Sequence, residues 1–300
     1  MDYEKLKQLQ GTFTALITPF REGGVLDESD VRKFIRFQIE AGCGLVPMGT
    51  TGESATMSHK EHEDIIKWTV EEAKNSKEKP FVLAGAGSNS TAEAISLCKH
   101  AESMGVDGVL LITPYYNKPT QMGLISHYSA IAESISIPIV IYNCPGRTGG
   151  NIAPDTVAIL AKKYKNIVGY KAAEGKLDQI KEVIDKCGKD FIVLSGDDAL
   201  TYDIMKIGGK GVISVASNLF PKRMVDFVKL MQENKWDQAK QEHDVLMELF
   251  KKLFIETNPG PVKYLAYKMG LIPTPEMRLP LVPPEPNNCK ILDELLQKYM

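Results

Sequence analysis

Cysteine is sparse in this 300-residue chain, and the cysteines present are not placed to pair. Cys43, Cys98, Cys144, Cys187 and Cys289 are odd in number, scattered, and never spaced as C-x-x-C. That pattern argues against a disulfide framework and for reduced thiols in a cytoplasmic protein. Long hydrophobic runs are missing as well. No stretch reaches the roughly 20 apolar residues needed to cross a bilayer, and residues 1–6 carry no apolar leader segment. Charge of one sign is also lacking. The net charge is −2 and no lysine/arginine-rich block stands out, so neither nucleic acid nor membrane is an expected partner. No G-x-G-x-x-G follows the first apolar run, which counts against a doubly wound dinucleotide-binding sheet.

What is present is a regular alternation. Short β-branched runs at 12–17, 44–48, 81–84, 108–112, 138–142, 167–170, 191–194 and 211–214 are mostly unalternated, as strands buried on both faces of a parallel sheet should be. Helical patterns fall between them at 27–41, 58–75, 91–103, 121–134, 155–163, 177–187, 199–207 and 222–234. Asp27 reads as an N-cap, and Ser58 with Glu61 reads as a capping box. Eight strand–helix units by residue 234 predict an α/β chain folded as a (β/α)8 TIM barrel over 1–234. Helical periodicity at 236–254, 261–269 and 290–298 predicts a C-terminal helical extension over 235–300.

Active sites of such barrels form at the C-terminal ends of the strands. Lys171 closes the sixth run there. A buried ammonium loses its water, which lowers its pKa and leaves an amine able to attack a carbonyl. A lone strand-end lysine is more often a snorkelling surface residue. Here Thr50, Thr51, Tyr115, Tyr116, Tyr142 and Arg147 also follow apolar runs, and the repetition favours chemistry. Gly49-Thr50-Thr51-Gly52 is a glycine- and hydroxyl-rich loop suited to an anion such as a carboxylate. Without a P-loop lysine it is not a nucleotide site. Tyr142, bonded to Thr51, is placed to relay protons. Arg147 can hold a carboxylate with two parallel bonds. His59 and His62 are the only close histidine pair. They lack a nearby third ligand, so no catalytic metal is expected. Nor does any nucleophile elbow support serine chemistry. Asp197-Asp198 reads as a helix cap.

The segments Gly49–Ser54, Thr113–Asn117, Tyr142–Gly149 and Gly211–Ser214, in this order and spacing, resemble the dihydrodipicolinate synthases of the N-acetylneuraminate lyase superfamily. The resemblance implies a Schiff base between Lys171 and pyruvate, with no external cofactor. The enamine would add to L-aspartate-4-semialdehyde, on the route to diaminopimelate and lysine. It implies a proton relay of Tyr142, Thr51 and Tyr116, the last from a neighbouring subunit. Thr50 and Thr51 would bind the pyruvate carboxylate and Arg147 the semialdehyde carboxylate. The Ile213 carbonyl would lie beside the lysine, and Gly196 would border the second substrate. A lysine-inhibitor site is implied at Ser54, Ala55, His59, His62, Asn89, Glu93 and Tyr115, with His62 reporting pH weakly. A homotetramer, a dimer of dimers, is implied as the assembly. Family members usually place an acid directly after the Schiff-base lysine. Here Ala172 stands there and Glu174 two positions later, so a carboxylate tuning Lys171 is expected to be missing. The alternatives are a pyruvate-dependent aldolase acting on a 2-keto-3-deoxy sugar acid, and a non-enzymatic ligand-sensing barrel.

Overall fold

The computed structural model describes residues 3–300. Eight parallel strands run β1 (Gly11–Ala15), β2 (Gly44–Val46), β3 (Leu83–Gly85), β4 (Gly108–Ile112), β5 (Ile139–Asn143), β6 (Ile167–Ala172), β7 (Ile192–Ser195) and β8 (Gly211–Ser214). Their order around the sheet is β2-β1-β8-β7-β6-β5-β4-β3, and a parallel bridge between Leu45 and Val82 brings its two edges together. This is the expected (β/α)8 barrel. Alternate residues separate two apolar layers. Phe13, Val46, Leu83, Leu110, Val140, Val168, Leu194 and Ile213 fill the interior. Val109, Leu111, Ile141, Tyr170, Val193 and Val212 face the surrounding helices, as a sheet covered on both faces requires.

Helices α1 (Glu28–Glu40), α2 (His59–Asn75), α3 (Thr91–Met104), α4 (Gln121–Ala132), α5 (Pro154–Lys163), α6 (Leu177–Cys187), α7 (Thr201–Lys206) and α8 (Pro221–Gln232) return the chain between strands and follow the last of them. Asp27 caps α1 by accepting the Asp30 N–H. Ser58 and Glu61 make both bonds of the capping box at α2. Expected α7 is shortened, because Asp198–Leu200 is a separate 3-10 turn anchored by the Asp197 carboxylate. A two-residue hairpin, Phe20–Arg21 against Val25–Leu26, was not signalled by any alternation in the sequence. Among the described residues, no helix is long and apolar enough to cross a membrane.

One irregularity decides which way β6 faces. Ile139 pairs with Ile167, but Val140 pairs with Gly169, so β6 carries one extra residue. Gly169 suits the bulge because a Cβ there would come within 2.7 Å of the Ile192 carbonyl oxygen. A one-residue slip exchanges the faces of every later side chain. Beyond it Tyr142 pairs with Lys171 rather than Tyr170, and Lys171 turns into the barrel.

After α8 come α9 (Trp236–Lys252), α10 (Gly260–Lys268) and α11 (Pro286–Tyr299). The fixing point between α10 and the barrel is a buried ion pair. Lys263 Nζ lies 2.6 Å from Glu53 Oε1, with both side chains fully buried. The other Glu53 oxygen accepts the Arg278 N–H at 3.0 Å, and the ammonium sits 4.1 Å above the Phe20 ring. Burial lowers the Lys263 pKa to about 8 against the opposing charge of Glu53. Removing one member of such a pair strands the other. Lys263→Met is therefore expected to cost about 3–5 kcal/mol in chemical denaturation, and Glu53→Gln/Lys263→Met to recover part of that loss.

Candidate active site

The C-terminal ends of the strands surround a cavity of about 190 Å3. That suits a small acid better than a nucleotide, since drug-sized ligands occupy about 300 Å3 or more. Lys171, Tyr142, Thr50, Thr51, Arg147, Gly196 and Ile213 all line it. Lys171 is 7% exposed. Its burial lowers the amine pKa to about 8; Cys144 and Asp198 oppose the shift and Arg147 reinforces it. The ammonium rests 4.1 Å from the centre of the Tyr142 ring, a cation–π contact that offsets part of the lost hydration. Gly196 is required by this packing. A Cβ there would lie 3.0 Å from Lys171 Cε and 2.9 Å from the Ala172 carbonyl oxygen.

Tyr142 is buried on β5. Burial drives its phenol well above the usual tyrosine range, Cys144 adds to the rise, and Arg147 and a hydrogen bond with Thr50 oppose it. Of the two threonines, Thr50 is the one whose hydroxyl bears on the Tyr142 phenol, whereas Thr51 Oγ1 accepts a 3.0 Å bond from Asn258 Nδ2. The 3-10 turn Thr50–Gly52 explains this, because consecutive side chains on it diverge. Arg147 stands on the short helical turn Pro145–Thr148 and donates from Nη2 to the Asn258 carbonyl at 3.3 Å.

Tyr116 is not in the cavity. Its side chain is 90% exposed, and its backbone holds φ of +70°, a left-handed conformation that is strained for an aromatic residue.

The missing carboxylate is supplied from elsewhere. Ala172 points outward into the helix layer, and Glu174 bonds the Tyr170 hydroxyl at 2.9 Å. The acid whose charge acts on Lys171 is Asp198. It is buried, and Asp197 rather than Asp198 makes the helix-capping bond to Ala199. Asp198 accepts the Val215 and Ala216 N–H groups at 2.9 Å each. Burial still pushes its pKa up to about 6.

A second cavity adjoins the first through Thr50, Ser54 and Arg147. Ser54, Ala55, His59, His62, Glu93 and Tyr115 line it. Asn89 does not; its carbonyl accepts the Asn117 side-chain amide at 2.9 Å. Glu93 bonds Ser88 and, at 3.1 Å, His59. The Ser88 bond foremost holds its carboxyl below the usual range. His62 does not report pH near neutrality, because burial lowers its pKa to about 4.

A family model described as the dihydrodipicolinate synthetase family matches residues 8–299. The chain belongs to this family. It is 49% identical over 291 residues to a 4-hydroxy-tetrahydrodipicolinate synthase of Persephonella marina, covering 97% of this chain and 98% of that one. A crystal structure of dihydrodipicolinate synthase from Aquifex aeolicus superposes with a TM-score of 0.94 at 43% identity, covering 97% of this chain and 98% of the other. Another, from Cyanidioschyzon merolae with lysine bound, gives 0.92 at 35% identity, covering 97% and 98%.

Sequence reasoning missed Asn258, which comes from the loop between α9 and α10 and meets two site residues at once. Its only local signal is a turn-like Asn-Pro-Gly-Pro run. Within this family member, the low pKa of Lys171 is also a statement about stability. Its folded pKa of about 8 lies below the ordinary 10.5. The unfolded chain therefore binds more protons between those values, and the penalty for burying the charge is complete below pH 8 and gone above 10.5. Lys171→Met is expected to stabilise the fold by about 3 kcal/mol at neutral pH, with the gain fading across that window in denaturant titrations.

Proposed function

We propose that this chain is a 4-hydroxy-tetrahydrodipicolinate synthase, and the observation that carries the reading is the desolvated Lys171 amine in a small cavity beside a phenol, two hydroxyls and a guanidinium. The neutral amine attacks the keto carbon of pyruvate, and water leaves as the Schiff base forms. Loss of a methyl proton gives the enamine, which adds to the aldehyde carbon of L-aspartate-4-semialdehyde. The semialdehyde's amino group then displaces Lys171 as the ring closes and the free amine returns. Thr50 lines the cavity with Tyr142 and bears on its phenol, while Thr51 Oγ1 is held by Asn258; this supports a relay through Thr50, leaving Thr51 to meet the pyruvate carboxylate. Arg147 takes the semialdehyde carboxylate, with Gly196 and the Ile213 carbonyl beside the lysine.

Tyr116 completes the relay only if it enters the cavity of a neighbouring protomer. Its exposure and its strained backbone support a shared site, hence a dimer at least and, in our reading, a homotetramer. We read 1–234 as the catalytic barrel and 235–300 as an extension that serves its site. The second cavity is read as a lysine-inhibitor site, with the ionised Glu93 facing the ligand's ammonium.

Incubation with pyruvate and borohydride should place a pyruvate-derived mass on the peptide bearing Lys171; an unmodified peptide would sink the assignment. Arg147→Ala should keep this trapping yet lose roughly 10²-fold in kcat/KM for the semialdehyde, the size of one lost charge-assisted pair. For the second cavity, Glu93→Gln is expected to raise the lysine concentration for half-inhibition roughly tenfold with little change in uninhibited rate, removing one ionic contact. Equal inhibition of both proteins would place lysine elsewhere.

A further inference from the structure

Asn258 stands outside the barrel sequence yet touches both anion-binding groups of the site. Its side chain is 4% exposed. Through Nδ2 it donates to Thr51 Oγ1 at 3.0 Å. Through its main-chain carbonyl it accepts from Arg147 Nη2 at 3.3 Å. The residue itself lines the cavity, and Lys263 five residues on is locked to Glu53 in the loop that carries Thr51. The direction of the first bond matters. A hydroxyl has one proton and two acceptor lone pairs. When an amide N–H occupies a lone pair, the Thr51 proton remains free to be donated, and a carboxylate can only accept.

We infer that Asn258 is a positioning residue which aims the Thr51 hydroxyl at the keto-acid carboxylate and anchors the Arg147 guanidinium through its main-chain carbonyl. This rests on the synthase reading and adds a division of labour within one residue: the side chain serves the first substrate and the backbone serves the second. A side-chain substitution should therefore disturb pyruvate and spare the semialdehyde.

The test compares full-length wild type, Asn258→Ala, Asn258→Asp, Thr51→Val and Asn258→Ala/Thr51→Val in steady-state assays and in borohydride trapping over a range of pyruvate concentrations. Asn258→Ala should raise half-saturating pyruvate about tenfold, the scale of one misdirected hydrogen bond to a charged group. It should leave kcat and the semialdehyde KM within about twofold, and add nothing when Thr51 is already valine. Asn258→Asp, nearly isosteric, should raise it further, since its carboxylate draws the Thr51 proton and repels the substrate's. That variant carries the test if the alanine does not fold. Unchanged pyruvate saturation, a fall in kcat alone, or additivity with Thr51→Val would each overturn the inference. Failure of the wild type itself to trap pyruvate would overturn the synthase reading with it, and is recognisable because it precedes any comparison of variants.

Discussion

The site depends on one ammonium held without its water. Lys171 occupies a position where an aliphatic residue would pack at no electrostatic cost, and the resulting penalty, about 3 kcal/mol on the scale of its shifted pKa, is a sizeable part of the 5–15 kcal/mol by which domains are stable. The fold carries it because the cost is local. The ring of Tyr142 lies under the charge, and Cys144 and Asp198 oppose its neutralisation. The barrel interior beneath is packed with apolar side chains, with Phe13 and Phe81 meeting edge to face at 6.0 Å. A closed barrel is a suitable host, since its backbone bonds are satisfied around the ring and do not draw on the site.

A second constraint works on the loop after β2. Thr50 and Thr51 belong to a single 3-10 turn and serve different partners, so a small rotation of that turn would misplace both. The turn is followed by Glu53 with φ of +58°, a conformation that needs support from its surroundings. Support comes from beyond the barrel: Lys263 and the Arg278 N–H take the two carboxylate oxygens. Arg278 reaches on to the Glu61 carboxylate, joining the same region to the first turn of α2. The extension thus acts on the hydroxyl loop through buried polar bonds, which are directional where apolar packing is not.

Much of this was legible in the sequence. Unalternated β-branched runs separated by amphipathic stretches lead directly to a parallel barrel, and the rule that chemistry gathers at strand ends selected Lys171, Tyr142, Thr50, Thr51 and Arg147, which do share one cavity. Three features were not legible, each for a physical reason. Which threonine meets Tyr142 depends on the turn's dihedral angles, and hydrophobic pattern is silent on those. Asn258 lies more than two hundred residues from Thr51, so only the folded chain brings them together. His62 follows a capping box at the start of a helix and reads as a surface residue; in the folded chain it is buried in the wall of the second cavity.

The bulge in β6 settles a further point, the meaning of Ala172. Because the slip at Gly169 turns Lys171 inward, its successor must face outward. Ala172 is accordingly buried among the helix-facing residues. An acid at that position would project into the same layer, near Tyr170 and Glu174, on the far side of the strand from the amine. Its charge would reach Lys171 only through the sheet. The alanine therefore removes nothing from the cavity wall, and the carboxylate that bears on the amine comes from the turn after β7, held by the two backbone N–H groups that follow β8. The electrostatic setting of the Lys171 amine in this chain is a matter of neighbouring strand ends rather than of one residue's neighbour in sequence.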